Sequence, residues 1–220
     1  MTDTFGNEYW DEIWRGDRAV AMASSRTNPH LIHEVSELAP GTALDAGCGA
    51  GAEAIWLAAH GWQVTGADTA PAALAFAAER AVTGGVAGRV KWLHADLAAW
   101  EPEAQYDLVT TFYAHPAMPQ LAFYDRLASW VAPQGTLLFV GHLHHESAAV
   151  NRAETGAEGH GHGHGHTEPP AAASATAAAI TAGLDPAVWN VITAEESHRT
   201  MAVESDEVTL HDVVVRAVRR

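Results

Sequence analysis

Across 220 residues the chain contains one cysteine, Cys48, and one lysine, Lys91, and both scarcities carry information. A lone cysteine excludes an internal disulfide and any thiolate cluster built within one chain. The shortage of cations leaves 12 Lys and Arg against 27 Asp and Glu, a formal charge of −15 at pH 7 with histidine neutral. Nucleic-acid binding calls for a basic stripe that displaces counterions from phosphates. Here the arginines are scattered, and only Arg216, Arg219 and Arg220 gather. The same balance disfavours attraction to an anionic membrane surface. No run approaches the roughly 18 apolar residues of a spanning helix. The opening MTDTFGNEYWDEIW lacks the basic and apolar regions of a signal peptide. A soluble, cytoplasmic protein is expected.

What the chain does have is a core's worth of apolar residues, 48 % of the total, enough for a globular enzyme of one domain spanning residues 1–220. From residue 42 to 142 strand-like and helix-like patterns alternate, which predicts a parallel sheet with helical crossovers. Strands are expected at Thr42–Ala46, Gln63–Ala67, Val90–His94, Tyr106–Tyr113 and Gly135–Val140, with helices at Ala50–His60, Pro71–Val82 and Pro119–Val131 between them. Pro71 suits a first helical turn, and Gly61 and Gly84-Gly85 suit helix ends. Residues 28–38 read as an entry helix. Residues 1–27 are polar and aromatic, with a short helix near Glu8–Trp14 that would act as a lid. After Val140 the pattern breaks into a flexible His-rich insertion, residues 143–170, then an alanine-rich helix near Ala171–Ala182. Strands at Trp189–Ala194 and Thr209–Val218 would complete a doubly wound, mostly parallel α/β sheet of seven strands, one of the last two antiparallel, with helices on both faces.

The chemistry concentrates at Leu44-Asp45-Ala46-Gly47-Cys48-Gly49-Ala50-Gly51, where the first strand runs into the first crossover helix. Glycines lack a Cβ, so such a turn can take positive φ and present its N–H groups to a polar ligand. The following helix adds unpaired N-terminal donors. The motif alone leaves two cofactors open, because Gly47-x-Gly49-x-x-Ala52 with Asp68 downstream also satisfies a dinucleotide fingerprint and hence a nicotinamide-dependent oxidoreductase. Three features shift the balance. Asp45 stands two positions before Gly47, where a carboxylate would attract a cationic amino-acid moiety, directly or through water. Asp68 ends the second strand beside Thr69, placed to accept from both hydroxyls of an unphosphorylated ribose. The third strand ends His94-Ala95-Asp96-Leu97, an acceptor for an exocyclic amine followed by an apolar contact for a purine.

With these residues in view the chain resembles the class I S-adenosylmethionine-dependent methyltransferases. LDAGCGAG looks like their first motif, TGADTAP their ribose-binding segment, HADLAAW their adenine-binding segment and YDLVTTFYAHP their fourth-strand motif. The resemblance implies that Gly47, Cys48, Gly49 and Gly51 shape the methionine pocket, that Asp68 and Thr69 serve ribose, and that Asp96 and Leu97 serve adenine. Trp10-x-x-x-Trp14 followed by Gly16 resembles the lid helix of thiopurine, halide and tellurite-type small-molecule methyltransferases. The acceptor implied is a small molecule rather than a nucleic acid or a membrane.

Ligands of this topology gather at the carboxyl ends of the strands. His115 and Tyr113 follow the fourth strand, and His142, His144 and His145 follow the fifth. His115, Tyr113 and His142 are the candidates for proton removal or acceptor contact. Arg15, Arg18 and Arg26 would serve an anionic acceptor. Cys48 reads as packing between glycines, since a nucleophilic thiolate wants positive charge nearby. The repeat carrying His160, His162, His164 and His166 reads first as a solvated insertion. Its second reading is a weak site for a divalent metal such as zinc, nickel or copper, or the centre of a His-rich metal-binding protein.

Overall fold

The computed structural model describes residues 7–15, 19–143, 174–203 and 206–220. Seven strands run β1 (Thr42–Ala46), β2 (Gln63–Asp68), β3 (Val90–His94), β4 (Tyr106–Phe112), β5 (Val131–His142), β6 (Trp189–Val203) and β7 (Asp206–Arg219). Their order across the sheet is β3-β2-β1-β4-β5-β7-β6. All neighbours are parallel except β7, which runs antiparallel to both β5 and β6. The expected mostly parallel sheet with an antiparallel last strand is therefore the fold of the protein.

Helices α1 (Asn7–Arg15), α2 (Ala19–Ala23) and α3 (Pro29–Val35) precede the sheet. The crossovers are α4 (Ala52–Ala59), α5 (Pro71–Thr83) and α6 (Gln120–Ser129), and α7 (Ala177–Ala182) leads into β6. Local chemistry sets several ends. Asn28 caps α3, its side-chain oxygen accepting from the His30 amide at 2.9 Å, with Pro29 in the first turn. Thr176 caps α7 by accepting from Ala179 N–H at 3.1 Å.

The sheet separates two apolar layers because successive strand residues point to opposite faces. In β5, Leu137 and Phe139 pack with Phe123 and Leu127 of α6 and Ile180 of α7. Leu138 and Val140 pack on the other side with Leu31 and Val35 of α3 and Leu57 of α4. A third, smaller cluster joins Trp14 and Ala19 to Ala50, Ala70 and Ala73, seating the N-terminal helices over the carboxyl ends of the strands.

Several elements differ from expectation. Helix α4 starts at Ala52 rather than Ala50, because Gly51 takes the left-handed conformation (φ 74°) just before it. β5 starts at Val131, and its pairing with β4 shifts register before Thr136, leaving Gln134 at φ 65° in the intervening bend. β4 stops at Phe112, since Tyr113 is left-handed (φ 53°). Strands β6 and β7 are much longer than the sequence pattern suggests and pair from Trp189↔Arg219 to Val203↔Asp206. β5 accompanies β7 only as far as His142↔Asp212, so among the described residues the outer part of this ribbon has no third strand beside it, and its sequence has no alternating apolar signature. The short helix α2 has no counterpart in the sequence prediction.

Phe139 is 1 % exposed and central to the first layer. Truncating it to alanine should cost about 3–5 kcal/mol of stability. Urea unfolding followed by far-UV circular dichroism measures this.

Candidate active site

The loop between β1 and α4 is built by three left-handed glycines, Gly47 (φ 76°), Gly49 (φ 50°) and Gly51 (φ 74°). Each also meets a neighbour that would reject a side chain. A Cβ on Gly47 would overlap that of Ala114. One on Gly49 would stand 3.0 Å from the Trp14 ring, and one on Gly51 would run into the Trp92 ring. The loop is anchored to β2: the amides of Gly47 and Cys48 both donate to the Ala67 carbonyl, at 2.8 and 3.1 Å. The carboxylate of Asp68 closes the arrangement by accepting from Gly49 N–H and Ala70 N–H, each at 2.8 Å.

This loop opens on a cavity of about 1110 Å³. Of the predicted cofactor residues, Gly47, Cys48, Gly49, Asp68, Thr69, Asp96, Leu97, Trp10 and Trp14 line it. Asp45 and Gly51 are not among its lining residues. Gly51 is spent on packing against Trp92. Asp45 points beneath α4, 1 % exposed, where it accepts from Ala54 N–H at 3.2 Å and from the Thr110 hydroxyl at 3.4 Å.

Electrostatics at the loop is dominated by buried acid. Burial holds the Asp45 carboxyl well above its ordinary range, and the negative charges of Glu53 and Asp68 add to the effect. Asp68 and Glu53 are also raised by burial, partly offset by the amides that donate to them. Cys48 is pushed up by burial and by the Asp45 and Asp68 charges, which disfavours its thiolate. The loop after β3 is held differently. Asp96 is exposed and accepts from Ala98 N–H at 2.9 Å, while Arg126 of α6 donates to the carbonyls of Leu97 and Trp100 at 2.9 and 2.6 Å.

The three candidates for acceptor chemistry, His115, Tyr113 and His142, also line the cavity. The His142 ring stacks on Tyr113 at 4.3 Å and lies 6.0 Å from the His115 ring. His115 is 8 % exposed, and burial lowers its pKa, favouring the neutral imidazole. Gln120 donates to the Ala114 carbonyl at 3.1 Å, which turns its oxygen toward His115 Nδ1 at 3.4 Å. The His115 carbonyl accepts from the Trp10 indole at 3.1 Å, tying α1 to this wall.

Sequence reasoning missed Asn28, Glu53, Arg80 and Asp212. Asn28 is visible in the sequence only as a helix cap and Glu53 only as an acid in a first helical turn. Arg80 interrupts the alanine-rich α5 and clamps the loop to the N-terminal segment, donating to the Ala50 and Ser25 carbonyls at 3.0 and 2.9 Å. Of the arginines proposed for an anionic acceptor, Arg26 lines the cavity and Arg15 pairs with Asp11 at 2.7 Å. Arg18, His144, His145 and the repeat of His160, His162, His164 and His166 lie outside the described residues. Among the described residues no group of three or more His, Cys, Asp or Glu is arranged to hold a metal, and no helix is long and apolar enough to cross a membrane.

Residues 43–135 match the family model described as a methyltransferase domain. Trans-aconitate 2-methyltransferase of Streptomyces avermitilis is 34 % identical over 136 residues, covering 57 % of this chain and 49 % of that one. Ubiquinone biosynthesis O-methyltransferase of Pseudomonas paraeruginosa is 32 % identical over 134 residues, covering 60 % and 58 %. The chain thus spans about half the length of these curated relatives. The fold superimposes on the N-methyltransferase NodS of Bradyrhizobium japonicum in complex with S-adenosylhomocysteine, with a TM-score of 0.64, 17 % identity and 97 % coverage of both chains.

The raised carboxyls make a signed prediction. A carboxyl whose folded pKa lies above its unfolded value keeps its proton longer in the folded state, so stability falls as pH climbs from 3.8 through the raised value. Asp45→Asn removes that charge and should stabilise the ligand-free protein at neutral pH by about 1–3 kcal/mol. The gain should vanish in acid, where Asp45 is itself neutral. Thermal unfolding of both proteins across pH checks the sign.

Proposed function

We propose that the cleft binds S-adenosylmethionine and that the chain transfers its methyl group to a small-molecule acceptor, a reading supported by the match of residues 43–135 to the methyltransferase-domain family model. The observation that carries this reading is convergence. The glycine loop after β1, Asp68 at the end of β2 and Asp96-Leu97 after β3 open on one cavity of about 1110 Å³. Sites for one small molecule run to about 300–1,000 Å³, so a cofactor and an acceptor fit side by side.

The residues present suit that cofactor. Each Asp68 oxygen accepts one amide and keeps a further lone pair for a ribose hydroxyl. Exposed Asp96 would meet an exocyclic amine and Leu97 the purine face. Trp10 and Trp14, on the cavity wall and within residues 1–27, form the lid, and an indole face favours a sulfonium by about 0.5–2 kcal/mol when dry. The acid beneath the loop supplies a negative field for a cationic ligand. When bound, the sulfonium supplies an activated methyl carbon. The chain's own part is to align the acceptor and exclude water. Burial favours the neutral His115 imidazole, the form that can take an acceptor proton, and His142 stands beside it on the cavity wall. The excess of acid over base in the whole chain favours a small acceptor over nucleic acid.

Titrating tryptophan fluorescence with S-adenosylhomocysteine and with NADH separates this reading from a nicotinamide enzyme. The former should quench and the latter should not, and the reverse result overturns the assignment. Asp68→Ala should weaken S-adenosylhomocysteine binding by about 1–3 kcal/mol, roughly 5–150-fold, through lost charge-assisted hydrogen bonds. Methyl-labelled cofactor offered with a panel of thiols, phenols and carboxylates, read by mass, identifies the acceptor class.

A further inference from the structure

Tyr113 follows β4 with φ 53°, a conformation that is costly for a bulky residue and persists only where its surroundings enforce it. The surroundings here are specific. The Tyr113 amide donates to the Val140 carbonyl at 2.9 Å. Its hydroxyl donates to Asp212 Oδ1 at 2.9 Å and accepts from Asn28 Nδ2 at 3.1 Å. Its ring lies against His142 at 4.3 Å with an interplanar angle of 26°.

Asp212 belongs to β7, is fully buried, and stands directly opposite His142 in the antiparallel register. Its second oxygen meets His30 Nε2 at 3.2 Å. Asn28 is held as firmly: its amide donates to Glu53 Oε1 at 2.9 Å and its side-chain oxygen caps α3. Three distant parts of the chain therefore meet on one phenol.

We propose that Asp212 and Asn28 are positioning residues for methyl transfer, acting through Tyr113 on the His142 imidazole. The phenol oxygen gives its proton toward a carboxylate and takes one from an amide, so it is committed to the scaffold. Its ring then serves as a rigid backing for His142, which faces the cavity. On this assignment His142 is the group that meets the acceptor, and Tyr113 positions it. The inference deepens the methyltransferase reading and rests on it for the word acceptor.

The test uses the full chain with labelled histidine and S-adenosylhomocysteine present. The His142 ring-proton resonance is identified by its absence in His142→Gln, and Tyr113→Leu shows its position without the stacked ring. Asp212→Asn and Asn28→Asp should both move the resonance to the Tyr113→Leu position. Asn28→Asp keeps an oxygen to cap α3 but loses the amide donor to Tyr113, so it separates positioning from capping and decides the matter if Asp212→Asn does not fold. Melting temperatures report any purely structural loss. Folded variants whose His142 resonance stays at the wild-type position overturn the proposal. Failure of the wild type to quench with S-adenosylhomocysteine would instead overturn the cofactor reading, while the His142 comparison still decides this one.

Discussion

Asp68 stands where the two sides of the cleft are joined, and its two hydrogen bonds are what the rest of the site leans on. One oxygen takes the Gly49 amide and so holds the glycine loop in its left-handed path, and the other takes the Ala70 amide and starts α5. The parallel pairing of β1 with β2 brings the loop within reach, because Ala46 lies beside Ala67 and the next two amides donate to the Ala67 carbonyl. Burial raises the Asp68 carboxyl, and the amides that donate to it, with His94 nearby, offset part of that cost.

The opposite wall is assembled on another plan. The family match spans residues 43–135, so Trp10, Asn28, His142 and Asp212 all fall outside it, and of the residues on this wall only Tyr113 and His115 fall within. That division fits the chemistry. A fold keeps its shared loop while the surrounding wall varies with what is bound there. In this chain the antiparallel insertion of β7 beside β5 is decisive, since it sets Asp212 across from His142 at the carboxyl end of the parallel strands. The indole of Trp10 reaches the same wall from the N-terminal side and links α1 to it.

The cofactor half was legible because its signals are local. Gly47, Gly49 and Asp68 are recognised by what a turn and a strand end require of the residues that form them. The position of Asp45 was not legible: on β1 the alternation of faces sends it under α4 with Ala43. A glycine that packs looks the same in sequence as one that approaches a ligand, and only the structure shows the ring of Trp92 against Gly51.

By itself the sequence determined the order of strands and helices, the parallel core with its turned last strand, and the placing of a glycine loop and two acids at successive strand ends. Hydrophobic period and turn chemistry encode these over short stretches of chain. Tertiary structure alone decided that Arg80 clamps the loop, that Tyr113 is held in a strained backbone, and that Asp212, 99 residues further on, receives its hydroxyl proton. Contacts over such separations depend on how strands pair and helices pack. No local pattern of residues records that outcome.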